Sequence, residues 1–525
     1  MRKNVLHAFA LSIPMFVFFA GYLFNHSEEL QPTGFIQYDN VSYVAYAKQY
    51  VDANDLQLQY SNPFNDHNEY RPIYFQTQTL FFAFVLKLGV PPGWILIPFT
   101  IICSLICLVL LIRIYDHIMP DRNFRTLNLW LFAWGGGLLA FAGIVAHFVL
   151  GREGNVLDDI FLIDPEKGWW GLSFGRSLFF SCEAYYHAIF LGCIYSIIKT
   201  KWLWAAVLLF MLSISHPFTG LELSAIVAAW CVFEFFFRRK EMPLWFGIVA
   251  MAVLGFHLYY YLVYLEQYPD HKSVSEQYTL KWRLGIYRII PAYCIVGILA
   301  AVSVYKKTWK GFLEIRSNRI FLCWFIVAFL LANHEVFMTA RQPIHFTRGY
   351  VWTSLFLLGL PALQLFNNYL KKKAGTVALA FFVFVFLFDN FIWISEISLS
   401  RATSSSTAYI TKEQKTIFEK LDSSSSQTLI VSSDHTMAYL SSVYTRAYPW
   451  YSHPYTTPFA KSKLEIQNRF FDRGIFDSSW IKRDIRFILQ KTDTVARATL
   501  TKLNAVKQFE SSQYQIYRYN PVAVF

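Results

Sequence analysis

Three groups of residues in this sequence have the types and spacing to do chemistry. Asp39 stands in Gly34-Phe-Ile-Gln-Tyr-Asp-Asn-Val-Ser-Tyr-Val-Ala-Tyr-Ala-Lys48, where an extended approach ends at an acid and a helix is predicted over Asn40–Val51. A carboxylate there can take the proton of an attacking hydroxyl, or it can simply cap the helix that follows. Asp158-Asp159, followed by Asp164-Pro-Glu166, is an acidic loop whose paired carboxylates suit a hard cation, with a helix cap or a solvated loop as the plainer reading. Arg341-x-x-x-His345-x-x-Arg348 has a helix-like spacing that can bring three side chains onto one face, where they can hold a phosphate. His216, in Ser215-His216-Pro217, can line a site or shape a turn.

The elements that must position these residues are membrane elements. Of 525 residues, 55% are hydrophobic, 19% aromatic and only 16% charged, whereas soluble domains run near 25% charged. The net charge of +12 belongs with membrane topology, because the basic residues flank apolar runs; no nucleic-acid partner is expected. The seven cysteines all fall in apolar stretches, which excludes a disulfide framework and a zinc-type cluster. There is no phosphate-binding glycine loop, dinucleotide fingerprint, metalloprotease helix or nucleophile elbow.

Eleven spans are expected: an uncleaved first span over Val5–Phe24, then Trp94–Ile112, Leu127–Leu150, Leu178–Ile198, Trp202–Ser215, Thr219–Phe237, Leu244–Leu265, Ile286–Val304, Ile320–Ala332, Gly349–Phe366 and Thr376–Ile394. The Lys/Arg-rich segments Arg113–Arg125, Lys199–Lys201, Arg238–Lys240, Lys306–Arg319 and Lys371–Lys373 alternate with acidic or mixed loops, which puts the former and the N-terminus in the cytoplasm. That parity holds only if Ile73–Val90, broken by Gln76, Thr77, Gln78 and Lys87, lies along the interface instead of crossing. The loop 25–93 then lies outside. It is acidic, with Glu28, Glu29, Asp39, Asp52, Asp55, Asp66 and Glu69 against Lys48 and Arg71.

The division is therefore a membrane domain over 1–395 and a small extracytoplasmic α/β domain over 396–525. Ser404–Ser406 and Ser423–Ser426 read as linkers. Thr428–Ser433 and Tyr514–Tyr519 read as strands, and Ser462–Phe471 and Ile481–Leu489 as helices. Cations on the outer side run against topology; besides Arg341 and Arg348 these are Arg176, Lys281 and Arg283, for which lipid anchoring is the simpler role. Within the spans Glu183, His187, Glu222, Glu234, His257 and Asp389 are costly unless paired. Gly135-Gly136-Gly137 reads as a close helix contact.

The first span, Tyr38-Asp39-Asn40, a helix bearing Tyr43, Tyr46 and Tyr50, and Tyr70-Arg71-Pro72-Ile73-Tyr74 leading into an interfacial helix together resemble the amino-terminal part of the GT-C superfamily of polytopic glycosyltransferases, which includes protein O-mannosyltransferases, aminoarabinose transferases and oligosaccharyltransferases. In those families an acid follows the first span and a Lys/Arg-Pro segment leads the juxtamembrane helix; Asp39 and Arg71-Pro72 match. The sequence departs by carrying Asn40 where many members have a second acid, which removes a ligand for a tightly held divalent metal. Asp158-Asp159 stands where several members carry an acidic pair that joins the site. The tail, through His453-Pro-Tyr-Thr-Thr-Pro-Phe-Ala-Lys, resembles the outer ends of related membrane glycosyltransferases.

The resemblance implies an all-α polytopic membrane enzyme that moves a sugar from a polyprenyl-phosphate donor to an acceptor on the outer face; a bacterial plasma membrane is the default location, because nothing in the sequence indicates an organelle. Asp39 is then the base or acceptor-positioning carboxylate. Asn40, Asp158, Asp159 and His216 support it, and Arg341, His345 and Arg348 meet the lipid phosphate. Any Mg or Mn would sit on Asp39, Asp158 and Asp159. The rival reading is a secondary transporter or flippase working through Glu183, Glu222 and Asp389; a third is a non-catalytic scaffold with the same shell.

Overall fold

The structure, a computed structural model, describes residues 2–52, 58–65, 71–163, 172–237, 242–399, 405–421 and 428–521. Asp55, Asp66, Glu69, Tyr70, Asp164, Glu166, Arg238–Lys240, Ser404 and Ser423–Ser426 lie outside the described residues. The chain forms two compact units. One contains residues 1–22, 98–261 and 279–402; the other contains 23–97, 262–278 and 403–525. The compact units thus do not follow the sequence-order division at residue 395, because residues 23–97 and 262–278 cluster with the tail.

The first unit is helical, and the chain is an integral membrane protein. Among the described residues five helical runs are long and apolar enough to cross a bilayer, or up to seven if each of two bent pairs, Asn4–Leu11 with Ile13–Phe24 and Arg125–Trp134 with Leu139–Val149, counts as one. The longest run, Pro343–Ser398, is not one rod: Gly375 at φ +84° opens its second half. Phe366 meets Phe382, and Trp352 and Phe356 both meet Phe386, so two antiparallel helices fold back on each other. The expected spans Leu178–Ile198, Trp202–Ser215 and Ile320–Ala332 become helices Ser181–Ile198, Trp202–Ser215 and Arg316–Ala332, which fall short of the same test. Their shortness and the polar residues inside them, Glu183 and His187 foremost, are the reason.

The glycine run does make a close contact, and it also breaks a helix. A Cβ on Gly136 would lie 2.7 Å from Asp389 Cβ, and one on Gly137 would lie 2.4 Å from the Ala292 carbonyl oxygen. The pair Arg125–Trp134 and Leu139–Val149 bends there by 59°. Such a break frees backbone groups that hydrocarbon cannot solvate. Asp389 accepts the N–H groups of Gly137 (3.2 Å) and Ala140 (3.1 Å), while its neighbour Asn390 donates to the carbonyls of Trp134 and Gly135, both at 3.0 Å. Adjacent residues on one helix thus serve both sides of the break, and Arg176, buried against Trp393, completes the group at 2.7 Å from Asn390 Oδ1 and 3.6 Å from Asp389.

The second unit is built from three separated stretches of chain. Helix Asn40–Asp52 forms because Val41, Val44, Ala45 and Tyr50 bury one face and Lys48 pairs with Asp52 at 2.6 Å. The expected interfacial segment contains helix Thr77–Lys87. At 1.5 Å per residue its 11 residues reach about 16 Å, half a bilayer core, and Phe81, Phe84 and Leu88 are exposed. A short antiparallel pair, β1 (Leu30–Pro32) with β2 (Tyr409–Thr411), joins the loop to the tail.

The tail carries β3 (Leu429–Ser432), β4 (Tyr448–Pro449), β5 (Ile485–Gln490), β6 (Val506–Glu510) and β7 (Tyr514–Tyr519) in the order β4-β3-β5-β7-β6. β3 runs parallel to β4 and β5; β5, β7 and β6 are antiparallel. The α/β class of the tail and the two predicted strands are observed, and helix Ala460–Arg473 covers the predicted Ser462–Phe471. The predicted helix Ile481–Leu489 is a correction: those residues form the central strand β5, of which five of six residues are buried. A short apolar run buried on both faces has lost the alternation that distinguishes a strand from a helix. Phe470, Trp480 and Phe487 form the core below it.

Gly34 shows how tightly this unit positions the chain before Asp39. Its φ is +89°, and an added Cβ would lie 2.2 Å from the Gly93 carbonyl oxygen, whereas Gly89, at φ +82°, has nothing within 4 Å. Gly34→Ala is therefore expected to destabilise the protein by roughly 2 kcal/mol or more, against about 1 for the backbone strain alone of Gly89→Ala, and so to lower the thermal unfolding midpoint further. Equal effects in a melting experiment would show that the close approach is not limiting.

Candidate functional site

Asp39 ends the approach and begins the helix, and its side chain leaves the helix axis to meet the tail. Its Oδ1 lies 2.9 Å from His453 Nε2. The two ends of this bond differ in environment: the His453 side chain is 3% exposed and that of Asp39 is 51% exposed. The imidazole lies among the rings of Tyr38 (5.1 Å), Tyr439 (5.4 Å) and Tyr455 (5.9 Å). Behind it Tyr439 OH takes the Ser42 N–H at 3.0 Å and bonds Ser42 Oγ at 2.6 Å, so the first turn of helix Asn40–Asp52 is anchored to helix His435–Tyr444. Asn62 Nδ2 donates to the Thr456 carbonyl and Gln277 Nε2 to that of Thr457, each at 3.0 Å, which ties the third stretch of chain to the same loop.

The phenols around Asp39 are held in their neutral form. Burial first, then the neighbouring Tyr451 and the Asp39 charge, raises Tyr38. Burial and then Asp39 push Tyr439 well above the ordinary value. Tyr46 is raised chiefly by burial. A negative carboxylate with one exposed side, set among neutral hydroxyls and one imidazole, can accept a proton from a bound hydroxyl. Asn40, directly beside it, is 2% exposed, and its Oδ1 has no hydrogen-bond partner among the described residues.

The other expected site residues belong to the first unit. Asp158 and Asp159 do not form a joint carboxylate pair: Asp158 is exposed, while Asp159 accepts His147 Nδ1 at 2.7 Å and Arg152 at 2.6 Å. The His147 bond, with Arg152 adding to it, holds the Asp159 carboxyl below its ordinary range. These acids therefore do not supply the donor set of a Mg or Mn ion, and among the described residues no group of three or more His, Cys, Asp or Glu side chains could hold a metal. His216 stacks on Tyr186 at 4.5 Å and its Nδ1 accepts the Thr219 N–H at 3.1 Å, closing the first turn of helix Pro217–Phe237.

Arg341, His345 and Arg348 do not share a helix face. Gln342 at φ +44° and a 3-10 turn over Pro343–Phe346 interrupt any helix between them. His345 and Arg348 are brought together. The Arg348 guanidinium pairs with Glu183 and donates to His345 Nδ1 at 2.5 Å, and His345 Nε2 donates to Gln342 Oε1. Phe218 stacks on His345 at 4.4 Å and touches His216 at 5.9 Å, so two of the expected residues belong to one aromatic cluster. Arg341 stands apart, exposed, with its backbone N–H on His334.

In the sequence His453 stands out only through the resemblance of the tail, which assigns it no role. The signal was weak, since a lone histidine far along the chain carries no spacing to Asp39. Of the acids behind the rival reading, Glu183 pairs with Arg348 and Asp389 serves the helix break. Glu222, wholly buried, has no hydrogen-bond partner on either oxygen among the described residues.

No protein-family model and no curated protein matches the chain. Among solved structures it is similar to ArnT from Cupriavidus metallidurans bound to undecaprenyl phosphate, at 12% identity and TM-score 0.47, over 98% of this chain and 97% of that one. It is also similar to the Archaeoglobus fulgidus oligosaccharyltransferase, at 12% identity and TM-score 0.43 for the apo form, over 95% of this chain and 69% of that one. The same enzyme in complex with Zn and sulfate aligns at 11% identity and TM-score 0.40, over 97% and 72%.

Proposed function

We propose that this protein is a membrane glycosyltransferase of the GT-C type, which moves a sugar from a polyprenyl-phosphate donor to an acceptor hydroxyl or amine at the outer membrane surface. The observation that carries the reading is Asp39, half-exposed at a helix start and hydrogen-bonded to buried His453. The acceptor heteroatom attacks the sugar's anomeric carbon, its proton passes to Asp39, and the bond from that carbon to the phosphate oxygen breaks. The electron pair leaves on the polyprenyl phosphate. Among the chain's own residues we assign the phosphate to the loop 333–348, where Arg341 is exposed and Arg348 is fixed by Glu183 and His345. Asn40 is assigned to hydrogen bonding with the acceptor or sugar, and no step is routed through a metal.

The reading places the N-terminus in the cytoplasm of a bacterial plasma membrane and the tail outside. Its test is sugar transfer by purified protein in lipid with a panel of polyprenyl-phosphate sugars, following released polyprenyl phosphate by mass spectrometry. Release that depends on acceptor supports it; silence with every donor counts against it. A second reading, transport of a lipid-linked or small polar substrate, draws on Glu222. If Glu222→Gln abolishes substrate flux in vesicles while Asp39→Asn leaves it intact, transport replaces transfer.

A further inference from the structure

We propose that His453 is a positioning residue whose Nε2–H, fixed by the chain around it, aims the Asp39 carboxylate and keeps it charged for proton abstraction. The inference rests on the reading of Asp39 as the base. His453 Nδ1 accepts the backbone N–H of Tyr455 at 3.1 Å, so this nitrogen carries no proton of its own. The neutral ring must then bear its proton on Nε2, the atom 2.9 Å from Asp39 Oδ1. A donor to the ionised form favours that form.

The residue cannot readily turn away. His453 N–H donates to Thr457 Oγ1 and its carbonyl accepts the Thr457 N–H, both at 3.1 Å, while Ser452 Oγ meets Thr457 Oγ1 at the same distance. Pro454 stiffens the turn, and the three tyrosine rings block rotation of the imidazole. The fold supplies the location. His453 stands four residues after β4, the edge strand that runs parallel to β3.

Because Nδ1 is already engaged, the imidazole does not pass the proton onward. The proton stays on Asp39 until water removes it from the exposed side. The other titratable groups around the pair are Tyr38, Tyr46 on helix Asn40–Asp52, Tyr439 on helix His435–Tyr444, Tyr278 after helix Pro269–Gln277, Tyr451 and Tyr455 after β4, and Asp434. Burial raises Tyr38, Tyr46, Tyr278, Tyr439 and Tyr451. Asp434 is engaged by the Thr436 and Met437 N–H groups and by Tyr514 OH.

The test compares His453→Phe, which keeps a ring and loses the donor, with His453→Gln, which keeps an N–H donor. His453→Phe should lower kcat about 10- to 100-fold with KM nearly unchanged. It should also move the acid limb of the pH–rate profile upward by about one unit, since loss of the donor raises the pKa of Asp39; His453→Gln should recover much of both. An unmoved acid limb with no recovery by Gln overturns the proposal. If the wild type transfers no sugar at all, the base reading fails, and nitrogen NMR of the histidine-labelled full chain still decides the geometry. A neutral Nε2–H tautomer that responds to Asp39→Asn supports it; an Nδ1–H tautomer or an imidazolium at pH 7 overturns it.

Discussion

Asp39→Asn is expected to abolish sugar transfer, lowering kcat by about 10²- to 10⁴-fold, while the protein still folds and binds donor. The carboxamide has nearly the shape of the acid, and its oxygen can still accept the His453 Nε2–H, so the contact that joins the first loop to the tail is kept. What is lost is a group that can take a proton. The measurement is polyprenyl-phosphate release in lipid by wild type and variant, with thermal unfolding midpoints alongside. Equal release would remove Asp39 from the mechanism; a midpoint several degrees lower would assign it a structural role.

The largest expected effect on stability lies in the first unit. Glu234 and Arg319 are both wholly buried and meet through two bonds, Nε to Oε1 at 2.5 Å and the second at 3.2 Å. Arg319 also donates to the carbonyls of Leu313 and Glu314 at 2.8 and 3.0 Å. Glu234→Ala strands a guanidinium without its counter-charge and should cost about 3–5 kcal/mol. Replacing both, Glu234→Leu with Arg319→Met, should recover most of the loss, because the penalty comes from the unpaired charge more than from the missing pair. Thermal unfolding in detergent or lipid distinguishes the two; a double variant as unstable as the single one would locate the cost in packing instead.

Much of this was legible from composition and periodicity. The membrane class, the presence of a short helix before the second apolar run, helix Asn40–Asp52 and strands β3 and β7 follow from apolar run length and spacing. Strand β5 was not, because a strand covered on both faces shows no alternation. Nor were the short helices Ser181–Ile198 and Arg316–Ala332 separable from full spans by hydrophobicity alone. Asp39 stood out because an acid between a span and a helix is unusual in type and place. His453 could not be found this way, since its partner lies 414 residues away and nothing local marks the pairing. Arg341 illustrates the opposite failure: spacing grouped it with His345 and Arg348, and a left-handed Gln342 separated it. Asp389 looked like a transport acid because sequence shows the cost of a buried charge but not the broken helix that employs it.

The separation between Asp39 and His453 also has a meaning in time. At the usual pace of synthesis, about 5–20 residues per second, the ribosome makes the histidine roughly 20–80 s after the acid. β1 and the Asp39 helix therefore wait, unpaired, through the making of nearly every apolar helix, and close only when β2 and the five-stranded tail arrive. A product interrupted within the tail holds the apolar helices and leaves the chain around Asp39 unfinished. The tail thus works as a checkpoint on birth: no copy can assemble the Asp39 pair before residue 453 has been made.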